Sequence, residues 1–277
     1  RWSRLARLAP AERRVAFVLA NYPTRAGRIG NGVGLDTPQS VVRILRAMKD
    51  AGYELNAIPV SGNRLVEALT QGVTNDLAAA ANRQARVIYP LGAYRLFFDS
   101  LPEQLRSQVI ARWGTPEADP HLREEGFALP VLVLGKVAVM IQPARGYNID
   151  PAKTYHDPDL VPPHRYFAAY AWLRDGFMAD AVIHCGKHGN LEWLPGKALA
   201  LSEGCIPEAV LGPLPQLYPF IVNDPGEGTQ AKRRTAAVII DHLTPPLTRA
   251  EIYGDLAALE QLVDEYYEAA GLDRRPL

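Results

Sequence analysis

His184, His188 and Glu192 stand four and four residues apart in Ala181-Val-Ile-His-Cys-Gly-Lys-His-Gly-Asn-Leu-Glu-Trp-Leu-Pro-Gly-Lys197. Imidazole nitrogens and a carboxylate are donors that Co²⁺, Ni²⁺ and Zn²⁺ accept. Imidazole also takes up or releases a proton near neutral pH. The triplet therefore reads as a catalytic group, a metal site, or both. Residues four apart share a helix face, but Gly186 and Gly189 interrupt this segment, and glycine disfavours a continuous helix. Zinc proteases need Glu directly after the first His on an unbroken helix. Here Cys185-Gly186 follow, so a zinc hydrolase, with its stoichiometric tight zinc, fits the pattern poorly. A lone histidine is usually a packed or solvated group; two with a following carboxylate read more readily as a site.

Three other stretches could contribute. Asn21-Tyr-Pro-Thr-Arg-Ala-Gly-Arg-Ile-Gly-Asn-Gly-Val-Gly-Leu-Asp36 is a Gly-rich strand-to-helix connection. It lacks the phosphate-loop Lys-Ser/Thr and the dinucleotide glycine spacing, so it reads as a substrate loop without a nucleotide site. An anion at the following helix N-terminus remains compatible with it. Pro143 to Pro163 is a long irregular segment holding Arg145, Tyr147, Tyr155 and His156, and such loops are usually functional or disordered. Asn223 to Arg234 reads as a capped helix with Lys232, Arg233 and Arg234 beyond its first turn. That helix offers either a carboxylate-binding surface or a solvated basic face. Five of the six histidines (His121, His156, His164, His184, His188, His242) fall within 156–242. With Tyr155, Tyr166 and Trp193 they suggest a ring-lined cleft, although each aromatic has an ordinary core role as its alternative.

The elements that must position these groups alternate between strand and helix, which implies an α/β class with a parallel or mixed sheet built from βαβ units. Residues 14–20 read as a buried strand. Thr37-Pro38 reads as a helix start, with Thr37 as N-cap, and Gly52 as its stop. Leu55 to Val60 reads as a second strand, making 1–62 a βαβ unit carrying the Gly-rich loop. Residues 63–127 read as a mainly helical insertion ending in a loop over 114–127. The remainder, 128–277, reads as an α/β portion with the His/Glu motif and C-terminal helices, continuous or not with 1–62. It holds a hairpin around Gly135, a helix over 164–176, strands at 179–184 and 217–222, a helix from 223 to about 242, and a last helix from Thr248 with Glu251 completing a capping box.

Composition narrows the classes. Thirty basic residues balance thirty acidic ones in 277, which gives no reason to expect nucleic acid or an anionic membrane surface as partner. Two cysteines, Cys185 and Cys205, make no disulfide framework, so a reducing cytoplasm is the simplest expectation. No run of eighteen apolar residues predicts a membrane span.

The chain resembles the large subunit of cobaltochelatase (CobN) and, more distantly, the large (H-type) subunit of magnesium chelatase. The resemblance runs through Asn21-Tyr-Pro, Asn31-Gly-Val-Gly-Leu-Asp-Thr-Pro38, Gln142-Pro-Ala-Arg-Gly146, Tyr155-His-Asp-Pro158, Pro162-Pro-His164, the His184–Lys197 motif, Asn223 to Arg234, and His242-Leu-Thr-Pro-Pro246. Asn190, Trp193 and Asp224-Pro-Gly-Glu-Gly228 favour the cobalt branch. Members are longer than this chain, which is expected to be an internal portion inactive without its partners.

The resemblance implies a metal chelatase, a ligase forming nitrogen–metal bonds, acting in cobalamin biosynthesis. Its substrates would be hydrogenobyrinic acid a,c-diamide and Co²⁺, and ATP would be hydrolysed by separate AAA+ subunits. A magnesium-chelatase-type subunit or a non-catalytic tetrapyrrole-binding module are the alternatives. His184, His188 and Glu192 would hold the ion or accept pyrrole protons. Asn21, Tyr22, Asn31, Asp36, Gln142, Arg145, Tyr147, Tyr155, His156, His164, Trp193, Asn223, Glu227, Gln230, Lys232, Arg233 and Arg234 would meet the tetrapyrrole, the arginines through its acidic side groups and the rings by packing.

Overall fold

Val15-Ala-Phe-Val-Leu19 forms strand β1, buried at every position. A strand without polar alternation needs cover on both faces, as in the interior of a parallel sheet. β1 lies inside a six-stranded sheet of order β5-β6-β1-β7-β8-β9. The other members are β5 (Val131–Leu134), β6 (Val137–Ile141), β7 (Ala181–Cys185), β8 (Gln216–Pro219) and β9 (Val238–Ile240). Only β5 runs antiparallel to its neighbour; the other pairings are parallel. The architecture is the expected mixed α/β class. This computed structural model describes residues 1–21, 29–30, 35–80, 82–147, 157–186, 189–219 and 225–241, with isolated helical positions between 255 and 266.

Alternation along β1 separates two cores. Val15, Phe17 and Leu19 pack with Val41, Val42 and Leu45 of helix Thr37–Asp50 and with Leu65 and Leu69 of helix Gly62–Gln71. Ala16 and Val18 face the opposite way, into a larger cluster with Tyr166, Phe167 and Tyr170 of helix His164–Ala171 and with Tyr94, Phe97 and Phe98 of helix Leu91–Asp99. Helix His164–Ala171 is buried at all eight residues. An all-round buried helix is a rigid platform, and the candidate site uses it as one. Among the described residues, no helix is long and apolar enough to cross a membrane.

Several sequence expectations need correction. Leu55 to Val60 is not a strand; β1 pairs with β6 and β7 instead. Leu55 is buried on the helix side, and the Glu54 carbonyl accepts from the Lys136 backbone N–H at 3.0 Å. Leu55 and Ile58 pack on that core, Val60 is exposed, and the segment joins no ladder. Asp36, rather than Thr37, caps its helix, accepting from the Gln39 N–H at 3.1 Å. The 63–127 stretch is not all helix and loop: β2 (Val87–Pro90), β3 (Leu122–Arg123) and β4 (Gly126–Leu129) form a three-stranded antiparallel sheet. Helix Pro225–Thr235 ends well before residue 242, and β9 follows it. The hairpin around Gly135 (φ +75°) is present as β5–β6. Helices Trp2–Arg7 and Ile206–Leu211 were not anticipated.

By internal contacts, Arg1–His242 is one unit and Leu243–Leu277 another. In the second, Asp255, Leu259, Leu262, Val263 and Tyr266 are helical. Its expected cap, Thr248 and Glu251, lies outside the described residues.

Candidate metal and proton-handling site

His184 is the fourth residue of β7 and sits in register with Val18, while Cys185 sits in register with Leu19. Neighbouring residues of a strand face opposite ways. His184 therefore shares the face of helix His164–Ala171, and Cys185 packs with Leu19 on the other. Burial pushes the Cys185 thiol up to about 12. Cys185 is thus a packed small side chain with its back to His184, not a thiolate partner for it.

The His184 imidazole is 2% exposed, and burial holds it down to about 4, so it is neutral at ordinary pH. Its Nε2 lies 3.0 Å from the Tyr170 hydroxyl. Tyr170 also donates to Gln142 Oε1 at 3.2 Å, and Gln142 Nε2 donates to the Tyr166 hydroxyl at 3.1 Å. Tyr166 in turn donates to Asn190 Oδ1 at 2.6 Å. Four residues apart on one helix, the two tyrosine rings stack at 5.4 Å. Gln142 follows β6, whose end lies beside that of β1, so the chain of contacts spans the carboxyl edge of the sheet. Ligands characteristically bind at that edge in open α/β sheets.

Glu192 belongs to the short 3₁₀ turn Leu191–Trp193. It is 1% exposed, and neither carboxyl oxygen has a hydrogen-bond partner among the described residues. Burial raises it to about 7, against the lowering influence of its own backbone N–H, of Arg234 and of Arg145. A buried carboxyl without donors is costly to ionise, so it stands ready to hold a proton or meet a cation. Its oxygens press on Gly189, where an added Cβ would lie 2.6 Å from Oε1. The Gly189 N–H donates to Tyr218 Oη at 3.0 Å, and the Tyr218 ring lies 6.4 Å from that of His184. Thus Tyr218 and Asn190 tie the Glu192 turn to the His184 strand, although His184 and Glu192 do not touch.

The other expected residues fall into distinct settings. Arg234 donates to the main-chain carbonyls of Glu192 (2.6 Å), Leu194 (2.8 Å) and Lys197 (3.0 Å). Its guanidinium holds the turn in place. Lys232 and Arg233 are exposed, while Glu227 and Gln230 lie on the inner side of the same helix. Arg145 is buried and donates to the Asp157 carbonyl at 3.1 Å. Asn21 is buried just beyond β1, its Oδ1 without a hydrogen-bond partner among the described residues. Trp193 is 37% exposed. Tyr22, Asn31, Tyr155, His156, His188 and Asn223 lie outside the described residues. Among those described, no three His, Cys, Asp or Glu side chains gather in a metal-binding cluster. Beside the far end of the Glu192 turn, a cavity of about 770 Å³ is lined by Pro195, Gly196 and Ile206 together with Gln108, Arg112 and Asp159.

His164 and Tyr147 sit elsewhere. His164 has both nitrogens engaged, by the Tyr94 hydroxyl at 2.7 Å and the Gly114 carbonyl at 2.9 Å. Tyr147 packs on Trp113 and His121 and donates weakly to Asp119. Asp119 also accepts from the Arg165 and His121 backbone N–H groups, both at 2.9 Å. Sequence reasoning passed over Tyr170, Arg165 and Tyr218. The spacing of Tyr166 and Tyr170 was a readable signal, but their partners are remote in sequence.

The chain is thus a mixed α/β protein with a buried imidazole and a buried carboxyl near the carboxyl edge of its sheet. Residues 1–277 match the family described as CobN/Magnesium Chelatase, and the chain belongs to that family. It is 63% identical over 276 residues to the aerobic cobaltochelatase subunit CobN of a Sinorhizobium species, covering 100% of this chain and 22% of that protein. Against the H-type magnesium-chelatase subunit of Chlorobaculum parvum it is 34% identical, covering 97% and 21%. The solved catalytic subunit of cobaltochelatase from Mycobacterium tuberculosis superimposes with a TM-score of 0.76 at 46% identity, over 98% of this chain and 23% of that one. The chain thus spans about a fifth of the length of these relatives.

Proposed function

We propose that this chain supplies the metal-insertion site of a cobaltochelatase large subunit in cobalamin synthesis. In this reading His184, His188 and Glu192 receive Co²⁺ and the pyrrole protons. Insertion of a divalent ion breaks two pyrrole N–H bonds and forms nitrogen–metal bonds, so two protons need acceptors. The observation that carries the reading is Glu192: a carboxyl raised to about 7 by burial, with no hydrogen-bond partner for either oxygen among the described residues. Such a group takes a proton near neutral pH. His184 offers a neutral imidazole at the same sheet edge, suited to a borderline divalent cation. The greater identity to the cobalt-type relative than to the magnesium-type one supports Co²⁺ over Mg²⁺.

The tetrapyrrole is read as hydrogenobyrinic acid a,c-diamide, packed beside Trp193 and the Gly-rich loop, with ATP hydrolysed on separate AAA+ subunits. The test is cobalt insertion by the full-length subunit with its ATPase partners, followed by the optical spectrum of the tetrapyrrole. His184→Ala and Glu192→Gln are expected to bind tetrapyrrole and fail to metallate it. Wild-type insertion rates in both variants would remove these groups from the mechanism. Binding without metallation by the wild type in the complete system would instead favour a tetrapyrrole-binding module.

A further inference from the structure

We infer that Asn190, Tyr166, Gln142 and Tyr170 form a one-way hydrogen-bond chain that fixes His184 as its Nε2–H tautomer and leaves the Nδ1 lone pair available to a ligand. The direction follows from counting hydrogens, starting at Asn190. Tyr166 Oη and Asn190 Oδ1 are 2.6 Å apart, a separation natural to O–H···O and too short for an ordinary N–H···O contact. Asn190 therefore presents its carbonyl oxygen, and the single hydroxyl hydrogen of Tyr166 points to it. Tyr166 then has only acceptor capacity for Gln142, 3.1 Å away, so Gln142 turns its amide nitrogen to Tyr166 and its oxygen to Tyr170. The Tyr170 hydrogen is spent on Gln142 Oε1 at 3.2 Å. Towards His184 Nε2, at 3.0 Å, Tyr170 only accepts, so Nε2 carries the hydrogen.

Among the described residues, His184 Nδ1 has no hydrogen-bond partner. The chain also couples the two halves of the motif, because Asn190 opens the turn that carries Glu192 while His184 lies at the end of β7. Tyr166, Tyr170 and Gln142 are buried and act through His184 and Asn190. They are positioning residues that hold the imidazole's orientation and tautomer, a role outer partners of metal-bound histidines commonly play. The tautomer stands on geometry alone. Its consequence for Co²⁺ rests on the function proposed above.

Selective ¹⁵N-histidine labelling of the full-length subunit tests the assignment, with a His184→Gln difference spectrum locating the resonance. The expected spectrum shows His184 protonated at Nε2 and bare at Nδ1; the opposite tautomer would overturn the inference. Tyr170→Phe keeps the ring and removes the acceptor, so it is expected to give a tautomer mixture and to weaken Co²⁺ binding by roughly tenfold or more, with tetrapyrrole affinity unchanged. Asn190→Asp keeps an acceptor for Tyr166 and is expected to retain the wild-type tautomer and Co²⁺ affinity. A Tyr170→Phe variant with the wild-type tautomer would refute the chain. A tautomer that shifts while Co²⁺ affinity stays the same would uphold the chain and count against His184 as a metal-receiving group.

Discussion

Asp119 and Glu192 are both buried carboxyls, at 6% and 1% exposure, yet the protein treats them oppositely. Asp119 receives two backbone N–H groups and the Tyr147 hydroxyl and lies near the buried Arg165 guanidinium. Among the described residues, Glu192 has no hydrogen-bond partner on either oxygen. Burial raises both; at Asp119 the N–H groups of His121 and Arg165 counter the rise, and at Glu192 its own backbone N–H does. The difference separates a carboxyl tied into the fold by several donors from one left without them among the described residues. A satisfied buried anion stabilises its surroundings, whereas an unsatisfied one is retained at the expense of stability.

The largest effect should come from Asp119→Ala, which strands two N–H donors and a hydroxyl in the interior. We expect a loss of about 3–5 kcal/mol in denaturant unfolding, with insertion activity falling only as the folded fraction falls. Glu192→Gln should do the reverse. A carboxyl at about 7 when folded, against 4.5 as the unfolded reference, binds its proton more tightly in the native state. Its cost therefore begins above pH 4.5, grows towards pH 7 and is complete above it, at about 3 kcal/mol. Glu192→Gln should unfold at a higher temperature than wild type at pH 8 and at nearly the same temperature at pH 4.5. An equal shift at both would mean that the carboxyl is not desolvated.

In the same variant, Co²⁺ insertion should fall about 100-fold or more, the usual worth of a positioned acid–base group. Gly189→Ala probes the contact from the other side. Its methyl would meet Glu192 Oε1 at 2.6 Å, so the carboxyl must move, and insertion should drop roughly tenfold with tetrapyrrole binding retained. Unchanged insertion would show that the carboxyl's position is not critical. The smallest effect belongs to the surface. Arg95 pairs with Glu117 at exposed positions and holds that carboxyl low, at about 2, yet Arg95→Ala should change unfolding by no more than about 0.5 kcal/mol, because solvent screens the pair.

Much of the scaffold was readable because its signals are local. A five-residue apolar run without alternation announced β1, and Gly135 between two apolar runs announced the hairpin. The reading failed where local and long-range demands differ. Leu55 to Val60 has a strand's composition, but Leu55 and Ile58 pack against a helix layer while Val60 is exposed. Residues 87–90 and 126–129 are too short to stand out and became strands only by pairing with each other. The motif His184–Lys197 was visible from its residue types, and so was the break in it at Gly186, which has a φ of +110°. Arg234 illustrates the limit: as a sequence feature it is a basic residue near a substrate patch, while its three carbonyl partners are 37 to 42 residues away along the chain.

Sequence by itself determined the α/β class, the strand that carries His184 near its end and the donor types available there, because periodicity, turn chemistry and side-chain identity are properties of short stretches. Only the tertiary structure decided that Cys185 turns away from His184, that Tyr170 meets the imidazole and Gln142 meets Tyr170, and that Glu192 is buried with no hydrogen-bond partner among the described residues. Those outcomes depend on which strand lies beside which and in what register. Such pairing is set by the packing of residues more than a hundred positions apart, as Val18 and His184 are.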